Sequence, residues 1–390
     1  AAPLAGGPAE LRVYLMTMGP GAQVWERFGH NAIWIEDPSV EPDTAYNYGL
    51  FDFQQENFLL RFARGEMWYW MAGFSAEAYV QSYVRDNRSV WLQELNLPPA
   101  ARIELRRFLR WNELPANRFY HYDYYDDNCS TRVRDAIDRV IGGSIRQQTS
   151  RVPSGTTYRF HTQRLTANDP AIFTALLLAL GQRVDRPISK WQEMFLPMAM
   201  REHVRRVTVT YPDGSKLPLV AGERTLFESS APDPPESPPS WLGWYLLAGV
   251  GVGLLIVSLG LIARPYAVGR FGLGTLVTLW GVAGGLSGLV LAGLWALTDH
   301  TMSYRNENLL QLNPVILALA WLAPKGLAGS IKARRWARTL SLWLAGLAVL
   351  GAVLQVLPGF DQVNGQVIAL ALPIHLGVAA GLRRARRGTT

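Results

Sequence analysis

Hydrophobic and polar residues are distributed differently on the two sides of residue 240. Before it, apolar residues come in short runs broken by charge; after it, they gather into five long stretches. These cover 241–263, 271–297, 309–323, 336–357 and 366–382. Most reach the roughly 20 apolar residues that span a bilayer as a helix. The third is short and holds Asn313-Pro314, so a tilted, broken or re-entrant segment suits it. Core helices of a soluble protein do not reach this length and number.

In the first 240 residues the period shortens. LRVYLMTM (11–18), NAIWIE (31–36) and TAYNYGLFDF (44–53) have the β-branched and aromatic density of strands. SVWLQELNL (89–97) alternates like a half-buried strand. A helical turn over 57–63 closes on Gly65, a helix over 75–85 starts on Ser75, and one over 101–114 is amphipathic. RFYHYDYYDDN (118–128) is strand-like and feeds a helix beginning at Cys129. Apolar residues recur in that helix at 133, 136, 137, 140 and 141, and Gly142-Gly143 stops it. Asp127 or Asn128 serves as its cap. Helices follow over 169–180 and 188–203, and the apolar residues of WQEMFLPMAM within the latter suit a core. A hairpin over 204–211 and 216–227 turns at PDGS. The pattern gives an α+β domain over 1–228, a Pro-rich linker over 229–240 and an all-α membrane domain of about five segments over 241–390.

Charge orients this arrangement. The connections 264–270 and 325–338 and the tail 383–387 hold eleven Lys and Arg, whereas 298–308 and 358–365 hold only Arg305. Basic connections stay in the cytoplasm, which puts the C-terminus inside and the first domain in the periplasm of a bacterial inner-membrane protein. The opening AAPLAGG has no Met, as expected once a secretory signal is removed. The net charge of +7 is no nucleic-acid signature, because residues 1–240 carry 26 basic against 28 acidic residues. Trp241, Trp244, Trp295, Trp321 and Trp336 lie at segment ends and read as interfacial anchors.

Candidate chemistry centres on the only cysteine, Cys129. In an exported domain a lone thiol is an inert buried residue, half of an intermolecular disulfide, or a nucleophile. Its place in a first helical turn favours the nucleophile, since the helix start is expected to lower the thiol pKa and its own N–H suits an oxyanion. Of six His, His30 has the best context for a base, after Gly29 and before a strand; a structural imidazole is the alternative. His121 has no special context and His161 falls in a loop-like segment. No metal-ligand spacing is present, and no metal or cofactor is expected.

FGHNAIWI, YNYGLFDF, FARG, YYDDNCSTRVRDAI and YRNENLLQLNP, in this order, resemble the Lnb-type lipoprotein N-acyltransferases. The resemblance implies a circularly permuted papain-like fold, similar to lecithin:retinol acyltransferases and NlpC-type peptidases, with Cys129 as nucleophile and His30 as base. Asn47 is the first choice for the group that orients His30 and Asp52 the second. The implied partners are a membrane phospholipid donor, a diacylated lipoprotein acceptor and the bilayer. Asp299, His300, Tyr304, Asn306, Glu307, Asn308 and Asn313 are expected to bind a headgroup or the acceptor amine, because polar groups at membrane depth point to function; helix caps in a solvated loop are the plainer reading. The rival functions are a membrane-anchored cysteine hydrolase, acting on peptidoglycan or lipid, and a non-enzymatic scaffold.

Overall fold

A computed structural model describes residues 11–52, 54 and 56–385. Residues 1–10, Phe53 at the end of the strand expected over 44–53, and Arg386 and Arg387 of the basic tail lie outside these. The chain divides into two units, one made of Ala1–Asn168 and Pro187–Ser237, the other of Asp169–Arg186 and Pro238–Thr390. The sequence reading ran the first domain unbroken over 1–228; the contacts instead group 169–186 with the second unit.

The strands are β1 (Arg12–Met18), β2 (His30–Glu36), β3 (Thr44–Leu50), β4 (Trp68–Ser75), β5 (Val90–Leu95), β6 (Phe119–His121), β7 (Pro153–Thr157), β8 (Pro187–Ser189), β9 (Thr208–Thr210), β10 (Lys216–Pro218) and β11 (Val220–Phe227). Seven make one antiparallel sheet in the order β11-β5-β1-β2-β3-β4-β6. Strand side chains alternate between faces, and both faces of β1 are covered. Val13 and Leu15 join one core, while Tyr14, Met16 and Met18 join another. That double burial explains why β1 reads as an almost continuous apolar run. β4 was not anticipated, because its WYWMAGFS lacks a clean alternation. The expected hairpin also divides: β9 pairs with β10, and β11 joins the sheet beside β5.

The helices of this unit are α1 (Phe58–Arg64), α2 (Ala76–Arg85), α3 (Pro99–Glu113), α4 (Cys129–Val140), α5 (Ser144–Thr149) and α6 (Tyr158–Leu165); after α7 (Pro170–Ala179) of the other unit come α8 (Lys190–Glu193) and α9 (Pro197–Val204). α4 presents Val133, Ala136 and Ile137 to the core that holds Leu15, Ile33 and Tyr48. Ala76 and Val80 of α2 pack in the core of the opposite sheet face. The helix expected over 188–203 is interrupted, because Pro197 begins a new helix at a position where its missing N–H costs nothing. Met194, Phe195, Leu196 and Met200 are all buried, as the core reading of that segment required.

The second unit holds α10 (Leu242–Ile262), α11 (Ala267–Leu297), α12 (Leu317–Ala328), α13 (Ile331–Leu354) and α14 (Gly365–Arg384). Four of these, all but α12, are long and apolar enough to cross a membrane. The third stretch is therefore not a fifth long helix: 3-10 turns at Glu307–Leu310 and Pro314–Ile316 precede the 12-residue α12. The prolyl nitrogen of Pro314 offers no N–H to continue a helix through that point. α10 and α14 meet along glycines. A side chain at Gly253 would stand 2.6 Å from the Pro373 carbonyl oxygen, and one at Gly260 2.5 Å from that of Gly381, so the backbones touch as in small-residue membrane interfaces. The basic ends also gather: Arg264 donates to the Arg384 carbonyl and Arg338 to that of Leu382.

Candidate active site

The start of α4 is set by its cap. The side-chain oxygen of Asn128 accepts from the N–H groups of Ser130 (2.9 Å) and Thr131 (3.0 Å), while the Thr131 hydroxyl accepts from the Asn128 N–H at 2.7 Å. This reciprocal pairing fixes the first turn and does not use the N–H of Cys129. Asn128 also donates to the carbonyls of Tyr124 and Phe195, both at 2.9 Å. Asp127, the other candidate cap, pairs with Arg132 instead. The acidic, aromatic run before Cys129 is thus a tight turn, with Asp123 accepting from the N–H groups of Tyr125 and Asp126.

β2 delivers the imidazole. Asn31, next to His30, donates from its side chain to Ser130 Oγ at 2.9 Å, and its backbone N–H points at the Cys129 sulfur. Antiparallel pairing sets Asn47 of β3 opposite Ala32, and Asn47 Oδ1 lies 2.5 Å from His30 Nε2. With the amide oxygen as acceptor, Nε2 carries the proton and Nδ1 keeps the lone pair that a base needs. On its other side His30 stacks against Tyr83 of α2, with centroids 6.4 Å apart.

Gly49 brings the pieces together. Its φ of 93° lies in the left-handed region open to glycine, and a Cβ there would stand 3.3 Å from Cys129 Cβ and 3.8 Å from His30 Cε1. The sulfur-bearing and imidazole side chains therefore border one small space. Asp52, the second choice for the orienting group, is exposed and accepts from the Gln54 N–H in its own turn.

Burial governs the ionisation. It pushes the Cys129 thiol up to about 11, against the N–H groups of Asn31 and Ser130 and the charge of Arg88, which act the other way. It pushes His30 down to about 4, helped by Arg88 and opposed by the bond to Asn47. The sequence expectation of a lowered thiol pKa is thus corrected: desolvation outweighs the helix start. At neutral pH the resting pair is a thiol and a neutral imidazole. Neutral phenols surround it, for burial raises Tyr79, Tyr120 and Tyr122 well above the usual range.

Residues 7–164 match the family described as the Lnb N-terminal periplasmic domain. The similarity covers 158 of the 390 residues. No curated protein and no solved structure matches the chain. The matched stretch includes Cys129, His30 and Asn47.

The other predicted residues lie in the second unit, and several are engaged by residues around them. Asn306 donates to the carbonyls of Leu178 (2.7 Å) and Ala179 (3.1 Å), and Asn308 to that of Leu178 at 3.0 Å. Glu307 accepts from Gln355 at 2.6 Å, and its N–H donates to Gln362 at 2.7 Å. Tyr304 donates to the Thr298 carbonyl at 2.5 Å, and Asn313 precedes a 3-10 turn without a side-chain bond to it. Asp299 is exposed and His300 half-buried. These bonds form a buried knot rather than the open binding surface or solvated loop that the sequence suggested.

Sequence reasoning passed over Tyr120 and Gly49. Period-2 alternation along RFYHYDYY puts Tyr120 on the inward side of an edge strand, and the glycine in YNYG was the only sign of the close approach. His161, read as loop, stands on α6 and shares Glu193 with His203, at 2.9 and 2.7 Å. Both imidazoles serve that buried carboxylate.

Proposed function

We propose that the chain is a lipoprotein N-acyltransferase of the inner membrane, working through a thioester on Cys129. His30 Nδ1 takes the thiol proton as the sulfur bonds to an ester carbonyl carbon of a phospholipid, and the π pair moves onto the carbonyl oxygen. Collapse breaks the carbon–oxygen ester bond, and the lyso-lipid leaves with the proton from His30. The α-amine of a diacylglyceryl-cysteine then attacks the thioester, gives its proton to His30, and releases the amide and the thiol. Asn47 holds the imidazole in the tautomer that permits both transfers.

The meeting of Cys129, His30 and Asn47 carries this reading. A neutral thiol–imidazole pair in aromatic surroundings suits a nucleophile that forms its thiolate only with an ester in place. The permuted papain-like arrangement, a base from an early strand serving a thiol at a later helix start, belongs to the same proposal. So does the orientation with the Lnb domain in the periplasm and the clustered basic ends in the cytoplasm. Asp299 and His300 are then the side chains of the polar stretch nearest in character to headgroup contacts.

The test is mass spectrometry of a lipoprotein N-terminus from cells that rely on this chain as their sole N-acyltransferase. An amide-linked third acyl chain is expected. A free amine despite good expression rejects the transferase. Released fatty acid in its place identifies the hydrolase.

A further inference from the structure

We propose that the Tyr120 hydroxyl donates a hydrogen bond to the oxyanion formed when Cys129 attacks its substrate. The inference rests on the acyl-transfer reading and adds a catalytic residue to it. Tyr120 sits on β6, is only 6% exposed, and its hydroxyl has no hydrogen-bond partner among the described residues. A buried, unmatched hydroxyl is costly in a folded protein, so one that persists calls for a partner that comes and goes. The hydroxyl faces the space over Gly49. A single heavy atom placed at the missing Cβ would lie 3.3 Å from Cys129 Cβ, 3.8 Å from His30 Cε1 and 3.9 Å from Tyr120 Oη. The space beside Gly49 is thus bordered by the nucleophile's side chain, the base and the donor, which suits a carbonyl oxygen. Arg132 lies over the Tyr120 ring, 4.3 Å from its centroid, and holds its orientation.

In the step itself the sulfur–carbon bond forms, the thiol proton passes to His30, and the carbonyl π pair becomes the oxyanion. Tyr120 keeps its proton and donates a hydrogen bond. The N–H of Cys129, which the cap leaves unused, is the second donor. The same oxyanion recurs when the acceptor amine attacks the thioester.

The test compares two reactions of Cys129 in the full-length, detergent-solubilised chain and in Tyr120→Phe. Iodoacetamide alkylates sulfur by displacement at a saturated carbon and makes no oxyanion. A short-chain p-nitrophenyl ester acylates it through one, and intact-protein mass spectrometry reads both adducts. Tyr120→Phe should alkylate at the wild-type rate but acylate about 100-fold more slowly, the usual effect of losing one such donor. Equal acylation rates overturn the proposal while the acyl-transfer reading stands. Parallel losses in both reactions also overturn it, marking a structural role. Wild-type protein that alkylates but acylates with no ester removes the acyl-transfer reading itself, and this proposal with it.

Discussion

The two polar clusters of this protein look equally promising in the sequence and differ in one physical respect. Around Cys129, polar atoms point at a space. His30 presents a lone pair, the Cys129 N–H is left out of the cap, and the Tyr120 hydroxyl has no partner among the described residues. In the 299–313 stretch most polar side chains are tied to the surrounding fold, Asn306, Glu307 and Asn308 to residues 177–179, 355 and 362, although Asn308 Oδ1 and Gln311 Oε1 have no partner among the described residues. A buried polar group that already has its bonds stabilises a fold. One held rigidly without them is available to a substrate.

Substitutions can break or sharpen this contrast. Cys129→Ala should abolish transfer, leaving lipoprotein N-termini with a free amine, and His30→Ala should slow it by about 10³-fold, within the usual range for a general base. Activity retained in Cys129→Ala would end the contrast at once. Asn47→Ala should lose less and carry a distinctive sign. The bond to Asn47 raises the His30 pKa, so its removal should move the acid limb of the rate profile below pH 4 rather than above it. Gly49→Ala should crowd the space between Cys129 and His30 and strain a left-handed residue, lowering stability by about 1–3 kcal/mol along with the acylation rate.

Changes in the other cluster should behave differently. Asn306→Ala and Glu307→Ala should each lower thermal stability, by about 1–3 kcal/mol for an unmatched buried group, with kcat per folded molecule close to wild type. A large fall in kcat at unchanged stability would make the knot a binding site after all. The smallest effect is a slope. Below pH 9 the Cys129 thiol is neutral in folded and unfolded chains alike. Between pH 9 and about 11 only the unfolded chain loses its proton, so stability falls there. Unfolding measured across that window should show a shallower fall in Cys129→Ser than in wild type.

Much of this was legible in the chain. The capped start at Cys129, the strand after His30 and the core character of WQEMFLPMAM all follow from local pattern, since each depends on neighbours within a turn or a strand. Choosing Asn47 over Asp52 was harder, because antiparallel pairing brings Asn47 opposite Ala32 across a turn, and a register is not visible in composition. The thiol pKa was misjudged for a related reason: the helix start is a local feature, whereas desolvation comes from aromatic side chains on β4, β6 and α2. The third membrane stretch showed its break in the sequence, because Asn313-Pro314 lies inside it. Its apolar residues ran on past Asn313-Pro314, where the backbone does not.

The glycine seam has a consequence for how the membrane unit is made. It joins α10, the first long apolar helix among the described residues, with α14, the last of them, along paired glycines. α10 therefore cannot complete this packing until α14 has been synthesised. A chain cut short before Gly365 would leave the glycine face of α10 open to a wrong companion.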